Sequence, residues 1–146
     1  MPRFKWVRTA LFLIAACRNP GIAQPATDGL SVLSAERFET AYRGTQELLH
    51  GKEHVVLVLK VKGITRADLN SDLLRDGLYV KVKAEEFRYK PVSVDITFTN
   101  SDGSWKNERD LVFVIPRTVT DLVLYVGKRE SQPFSVSRTI KAERRL

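Results

Sequence analysis

Asp68, Asn70 and Asp72 alternate oxygen side chains as the opening of a calcium loop does, with Asp76 close behind. Such a loop needs glycine at its sixth place and a bidentate glutamate at its twelfth, and those places hold Leu73 and Tyr79. The trio is therefore expected to cap a helical turn and a solvated loop, and no metal is expected on these candidate ligands. Asn100, Asp102, Glu108 and Asp110 form a second oxygen set, whose residue types are those of ordinary turns. His50 and His54 have ligand spacing only on a helix, which Gly51 opposes.

Covalent catalysis lacks its parts. There is no Gly-x-Ser-x-Gly elbow, and the single cysteine, Cys17, lies near the N-terminus within an apolar leader. Carboxylates are plentiful, but nothing in the sequence places two as a glycosidase pair. The reading is a chain with no catalytic residue and no cofactor.

Binding chemistry is better represented. Tyr42, Phe87, Tyr89, Trp105 and Tyr125 supply ring faces, and Tyr89 and Trp105 with Arg88 are the candidate binding set for a carbohydrate or peptide. Trp105 directly follows a hairpin signal; its indole is expected to cap the core, the alternative being the tip of a contact surface.

Charge has to be located before it is interpreted. The formal charge of +7 includes Arg3, Lys5, Arg8 and Arg18 in the leader, so removing that leader leaves +3. The C-terminal Lys128, Arg129, Arg138, Lys141, Arg144 and Arg145 against Glu130 and Glu143 supply +4, which leaves the body from Gln24 to Gly127 at −1 and not a basic surface. Lacking interleaved aromatics, the tail is expected to be solvated and to bind no nucleic acid.

Residues 1–23 read as a secretory signal: cations, the apolar run Leu11-Phe12-Leu13-Ile14, then small residues. Two endings compete, cleavage after Ala23 in Gly21-Ile22-Ala23, or lipidation at Cys17 in Ile14-Ala15-Ala16-Cys17, which resembles a bacterial lipobox and would attach the chain to a membrane. Residues 24–30 read as linker, 31–137 as the domain and 138–146 as a fraying basic tail.

The elements follow from period-two alternation. A first strand is expected over Leu30 to Phe38. His54 to Val61 is dense in β-branched residues and reads as a strand buried on both faces, with Leu57, Leu59 and Val61 sharing the inner one. A helical turn is expected between Thr65 and Leu74, and a strand over Leu78 to Ala84, with Phe87 and Tyr89 continuing past a turn at Glu85-Glu86. Val92, Val94, Ile96 and Phe98 give the cleanest alternation in the chain, followed by hairpin chemistry over Asn100 to Ser104. Leu111, Phe113 and Ile115 mark the return strand, Pro116 stops it, and Leu122, Leu124 and Val126 repeat the pattern up to Gly127. Phe134 begins a last edge strand. The sum is an all-β fold, an immunoglobulin-like β-sandwich of six to eight short, mainly antiparallel strands with one short helical turn, a barrel being the alternative.

The strand ending in Pro116, its short polar link and Asp121-Leu122-Val123-Leu124-Tyr125-Val126 resemble the closing strands of small immunoglobulin-like domains in bacterial exported proteins and lipoproteins. The resemblance covers roughly Val32 to Val136 at fold level, and it implies an extracytoplasmic binding or accessory domain without a shared catalytic motif. The expectation is a periplasmic or secreted, non-catalytic module whose partner is a protein or envelope component. A structural subunit docking through the edge near Phe134 is the second reading, and a calcium-dependent domain or enzyme the third.

Overall fold

A computed structural model describes residues 29–48 and 51–146. The leader with Cys17, the linker before residue 29, and His50 lie outside the described residues. The strands are β1 (Ser31–Arg43), β2 (Gln46–Glu47), β3 (His54–Lys62), β4 (Leu78–Lys81), β5 (Ser93–Val94), β6 (Glu108–Pro116), β7 (Asp121–Val126), β8 (Arg129–Glu130), β9 (Phe134–Ser135) and β10 (Ile140–Arg145). They form two sheets, one ordered β10-β1-β3-β6-β5 with β2 hairpinned onto β1, the other ordered β4-β7-β8 with β9 on β7. With β8 and β9 counted as one interrupted strand, β1-β3-β6-β5 against β4-β7-β8/β9 is the four-plus-three order of an immunoglobulin-like sandwich.

Alternation decides what lies between the sheets. Val55, Leu57, Leu59 and Val61 of β3, Leu111, Phe113 and Ile115 of β6, Leu78 and Val80 of β4, and Leu122, Leu124 and Val126 of β7 form the main core. The opposite parity of β3 is buried as well, since Val56 and Val58 join Phe38, Ala41 and Val112 in a second cluster. A strand paired on both sides and covered on both faces has no polar parity, which is why residues 55–59 read as an unbroken apolar run before Lys60 and Lys62 emerge at the strand's end.

β1 is longer than expected and changes parity. The register with β3 shifts between Val32 and Ser34, so Val32 and Ala35 both pack toward the main core although their spacing is odd. The bulge explains why this strand shows no sidedness in sequence.

Three expectations need correction. The clean alternation from Val92 to Phe98 forms a ladder of only two residues, Ser93 and Val94, against Val112 and Leu111. Beyond it the Arg109 guanidinium, through Nη1, takes the carbonyls of Asp95 at 2.8 Å and Thr97 at 3.0 Å, so a side chain replaces the ladder. Next, the tail does not fray: Ile140 to Arg145 is β10, parallel to β1 from Arg37↔Ile140 to Tyr42↔Arg145. Its charges are placed on it, Lys141 pairing with Glu36, Arg144 reaching Asp110 at 3.4 Å and Arg145 lying 4.8 Å over the Tyr42 ring. Charged residues are how edge strands resist further pairing, so in sequence such a strand has the composition of a solvated terminus. Last, Leu30 is a core residue, so the domain starts inside the expected linker.

The helical segment resolves into a 3-10 turn at Arg66–Asp68 and a wider turn at Leu73–Gly77. Tyr89 does fold back past its turn, exchanging two backbone hydrogen bonds with Val80. That pairing covers the free side of β4.

Candidate functional site: a basic and aromatic cleft

Where β1 begins, β3 ends and β6 begins, one end of the sandwich carries an open cleft of about 390 Å³. Its floor is made by two backbones crossing. Gly63 has φ +99°, and a Cβ added there would stand 2.1 Å from the Gly29 carbonyl oxygen, so only glycine permits the crossing. The loop that follows is fixed from both ends. Asp68 accepts hydrogen bonds from the Thr65 amide at 2.7 Å and the Thr65 hydroxyl at 2.9 Å, and Arg129 bridges Asp68 at 2.5 Å and the Gly63 carbonyl at 3.2 Å. This geometry presents Arg66 to the cleft.

The opposing wall is the hairpin tip. Asp102 accepts from the Ser104 amide at 2.9 Å and hydroxyl at 2.6 Å, and Gly103 donates its amide to the Asn100 carbonyl at 2.9 Å. A single bridge joins Thr99 and Trp105, and the indole stacks on Phe98 with centroids 6.2 Å apart and planes at 28°. Trp105 is 60% exposed, so it does not cap the core and instead stands open to solvent beside the hairpin turn.

The guanidinium groups of Arg66 and Arg109 lie 5.3 and 5.2 Å from the Phe98 centroid. Such contacts hold the ring in place and keep the cations near an apolar surface. Arg109 is only 3% exposed, and its Nε has no hydrogen-bond partner among the described residues. Lys62 and Lys106 also line the cleft, and no carboxylate does among the described residues. Lys106 is engaged by Asp95 and by the Thr97 hydroxyl, whereas Lys62, Arg66 and Arg109 make no ion pair among the described residues.

Burial would raise the Asp95 carboxyl, but the Lys106 ammonium and the Thr97 hydroxyl and amide donating to it outweigh this and hold its pKa below the ordinary carboxylate value. A depressed folded pKa contributes stability above the unfolded carboxylate range, and that stability is lost as pH falls through the folded value. The stability gap between the native chain and Asp95→Asn is accordingly expected to be full at neutral pH and to close in acid. Denaturant melts across pH 7 to 2 measure it, and a gap independent of pH would sink the idea.

The other expected binding residues lie elsewhere. Tyr89 is bridged to Val80, and Arg88 lies 4.4 Å over Tyr79, which stacks on Tyr125 at 4.9 Å with Lys81 beyond at 5.6 Å. No contact joins this ladder on the second sheet to Trp105. The oxygen trio is not brought together either. Asp68 is held by Thr65 and Arg129, Asn70 accepts the Leu73 amide at 2.9 Å, and Asp72 faces Arg75 at 3.3 Å. Among the described residues no three His, Cys, Asp or Glu side chains could hold a metal. His54 sits exposed at the start of β3.

Sequence reasoning missed Lys62, Arg66, Phe98 and Arg109. One signal was present, since Arg109 shares the parity of Leu111, Phe113 and Ile115, an arginine at an inward position of a core strand. Comparison with protein-family models, curated proteins and solved structures finds no match to the chain.

Proposed function

We propose that the chain is an exported, non-catalytic binding domain of the bacterial cell envelope, and that it recognises an anionic group in the cleft between the Gly63–Arg66 loop and the Phe98–Trp105 hairpin. One observation carries this reading: an exposed tryptophan backed by Phe98 shares the cleft with Lys62, Arg66 and Arg109, with no carboxylate among the described lining residues. An exposed indole supplies area at little entropic cost, and cations that make no ion pair among the described residues supply affinity for a negative group. The signal-like leader supports export, either as a free periplasmic or secreted protein or with Cys17 lipidated.

The chain has two tryptophans, Trp6 in the leader and Trp105, so after leader removal Trp105 is the sole indole reporter. Titration with acidic and neutral oligosaccharides and acidic peptides is expected to shift its emission with the acidic members only. Arg66→Ala is expected to weaken that response about tenfold with the circular dichroism unchanged, the scale of losing one charged contact. A response indifferent to ligand charge, or to Arg66, would remove the cleft from the function.

The second reading, an envelope subunit docking through the edge near Phe134, has two edges to choose from, because β9 ends the smaller sheet and β10 the larger. Lys141, Glu143, Arg144 and Arg145 on β10 count against further strand addition there.

A further inference from the structure

We infer that the cleft end is the face by which the domain docks on an anionic membrane surface, with a lipid phosphate between Lys62 and Arg66 and the Trp105 indole in the headgroup layer. The inference rests on the reading of the cleft as an anion site and names what fills it. Three independent observations converge on it.

The first is where the chain leaves the domain. Gly29, the first described residue, lines the cleft. Eleven residues, Arg18 to Asp28, separate it from Cys17. At about 3.5 Å per extended residue they reach at most about 40 Å, comparable with the width of a domain this size. A chain anchored through Cys17 is therefore tethered by its cleft end.

The second is charge. Lys62 and Arg66 are exposed and make no ion pair among the described residues, and Arg109 adds its charge from beneath with Nε unsatisfied. Cations near an anionic leaflet each strengthen attachment, whereas the rest of residues 24–127 carries 11 bases against 15 acids and so has a net negative charge.

The third is the form of the apolar surface. Trp105 is 60% exposed at a hairpin tip and Ile96, on the opposite arm of that hairpin, is 56% exposed. An indole with a polar edge beside cations is the composition that settles at a membrane–water boundary. The same hairpin offers little to a bound peptide strand. The Phe98 carbonyl takes the Lys106 amide, the Asn100 amide goes to Ser104, and Arg109 holds the Asp95 and Thr97 carbonyls. Addition of a partner strand needs free backbone groups, and here they are spent.

The test uses the chain from Gln24 onward, the form left by leader removal, so that neither the leader nor an acyl group contributes, sedimented with phosphatidylglycerol or phosphatidylcholine vesicles at low salt. Retention on phosphatidylglycerol is expected to fall about thirtyfold with Lys62→Ser plus Arg66→Ser in the same background, the factor for two lost surface cations. Trp105→Ser is expected to weaken retention, and raised salt to abolish the difference between the two lipids. Equal retention of parent and double variant would overturn the inference. If soluble polygalacturonate binds with Arg66 dependence while vesicle retention ignores both substitutions, membrane docking fails and the anion-binding cleft stands. If neither ligand responds to Arg66, both readings fall.

Discussion

Gly63→Ala is expected to cost the domain about 2–5 kcal/mol, the sum of an unfavourable backbone conformation and an overlap that no side-chain rotation relieves. At φ +99° an alanine is strained whatever surrounds it, and here the added methyl would meet Gly29 oxygen at 2.1 Å, Gly29 carbon at 2.5 Å and Leu30 Cα at 2.8 Å. All three are main-chain atoms of the segment entering β1, so that segment must move. Because Leu30 is in the core and Gly29 lines the cleft, the same substitution should both lower the denaturation midpoint and weaken any response at Trp105. Gly103→Ala is the control, with a positive φ but open space around its Cβ, and it should cost much less. Equal losses at the two positions would show that the backbone crossing is not the cause.

Arg37→Met is expected to destabilise by about 3–5 kcal/mol, since it strips the donors from three carbonyls while keeping much of the volume. Arg37 is 6% exposed. Its Nε donates to Ser137 at 2.7 Å, Nη1 to Arg117 at 2.9 Å and Nη2 to Arg138 at 3.0 Å. One side chain thus ties β1 to the β6–β7 turn and to the stretch where the chain passes from one sheet to the other ahead of β10. Lysine has one nitrogen and cannot meet three divergent acceptors, so Arg37→Lys should recover little of the loss. Amide exchange gives the sharper reading: the amides of Ile140 to Arg145 should lose protection before those of β3 and β6. Loss of stability with β10 still protected would mean that Arg37 serves the core rather than the terminal strand.

The strands of the core were legible because their parity is physical. Leu57, Leu59, Phe113 and Leu124 must point between the sheets, and nothing else satisfies them. β10 was not legible, since an edge strand held by ion pairs carries no hydrophobic period. β5 was over-read for the opposite reason: its alternation is real, but the Arg109 guanidinium takes the carbonyls that a ladder would use. Of the site, only Trp105 was marked in advance, and with the wrong orientation. Tyr89 and Arg88 were grouped with it through aromatic content, whereas Lys62 and Arg66 reach the cleft only because Gly63 lets two backbones cross. That is a tertiary event with no periodic signature, although the inward parity of Arg109 was there to be read.

The pairing of β1 with β10 has a mechanical meaning. These strands are the first and last of the described chain, they run parallel as neighbours, and five residue pairs join them. The chain therefore enters β1 at one end of the sandwich and leaves β10 at the other. Tension applied between those two points runs along the strands, so it loads their shared hydrogen bonds in shear, all together, instead of opening them one at a time. A domain tethered at its start and pulled at its finish would resist as a clasp does.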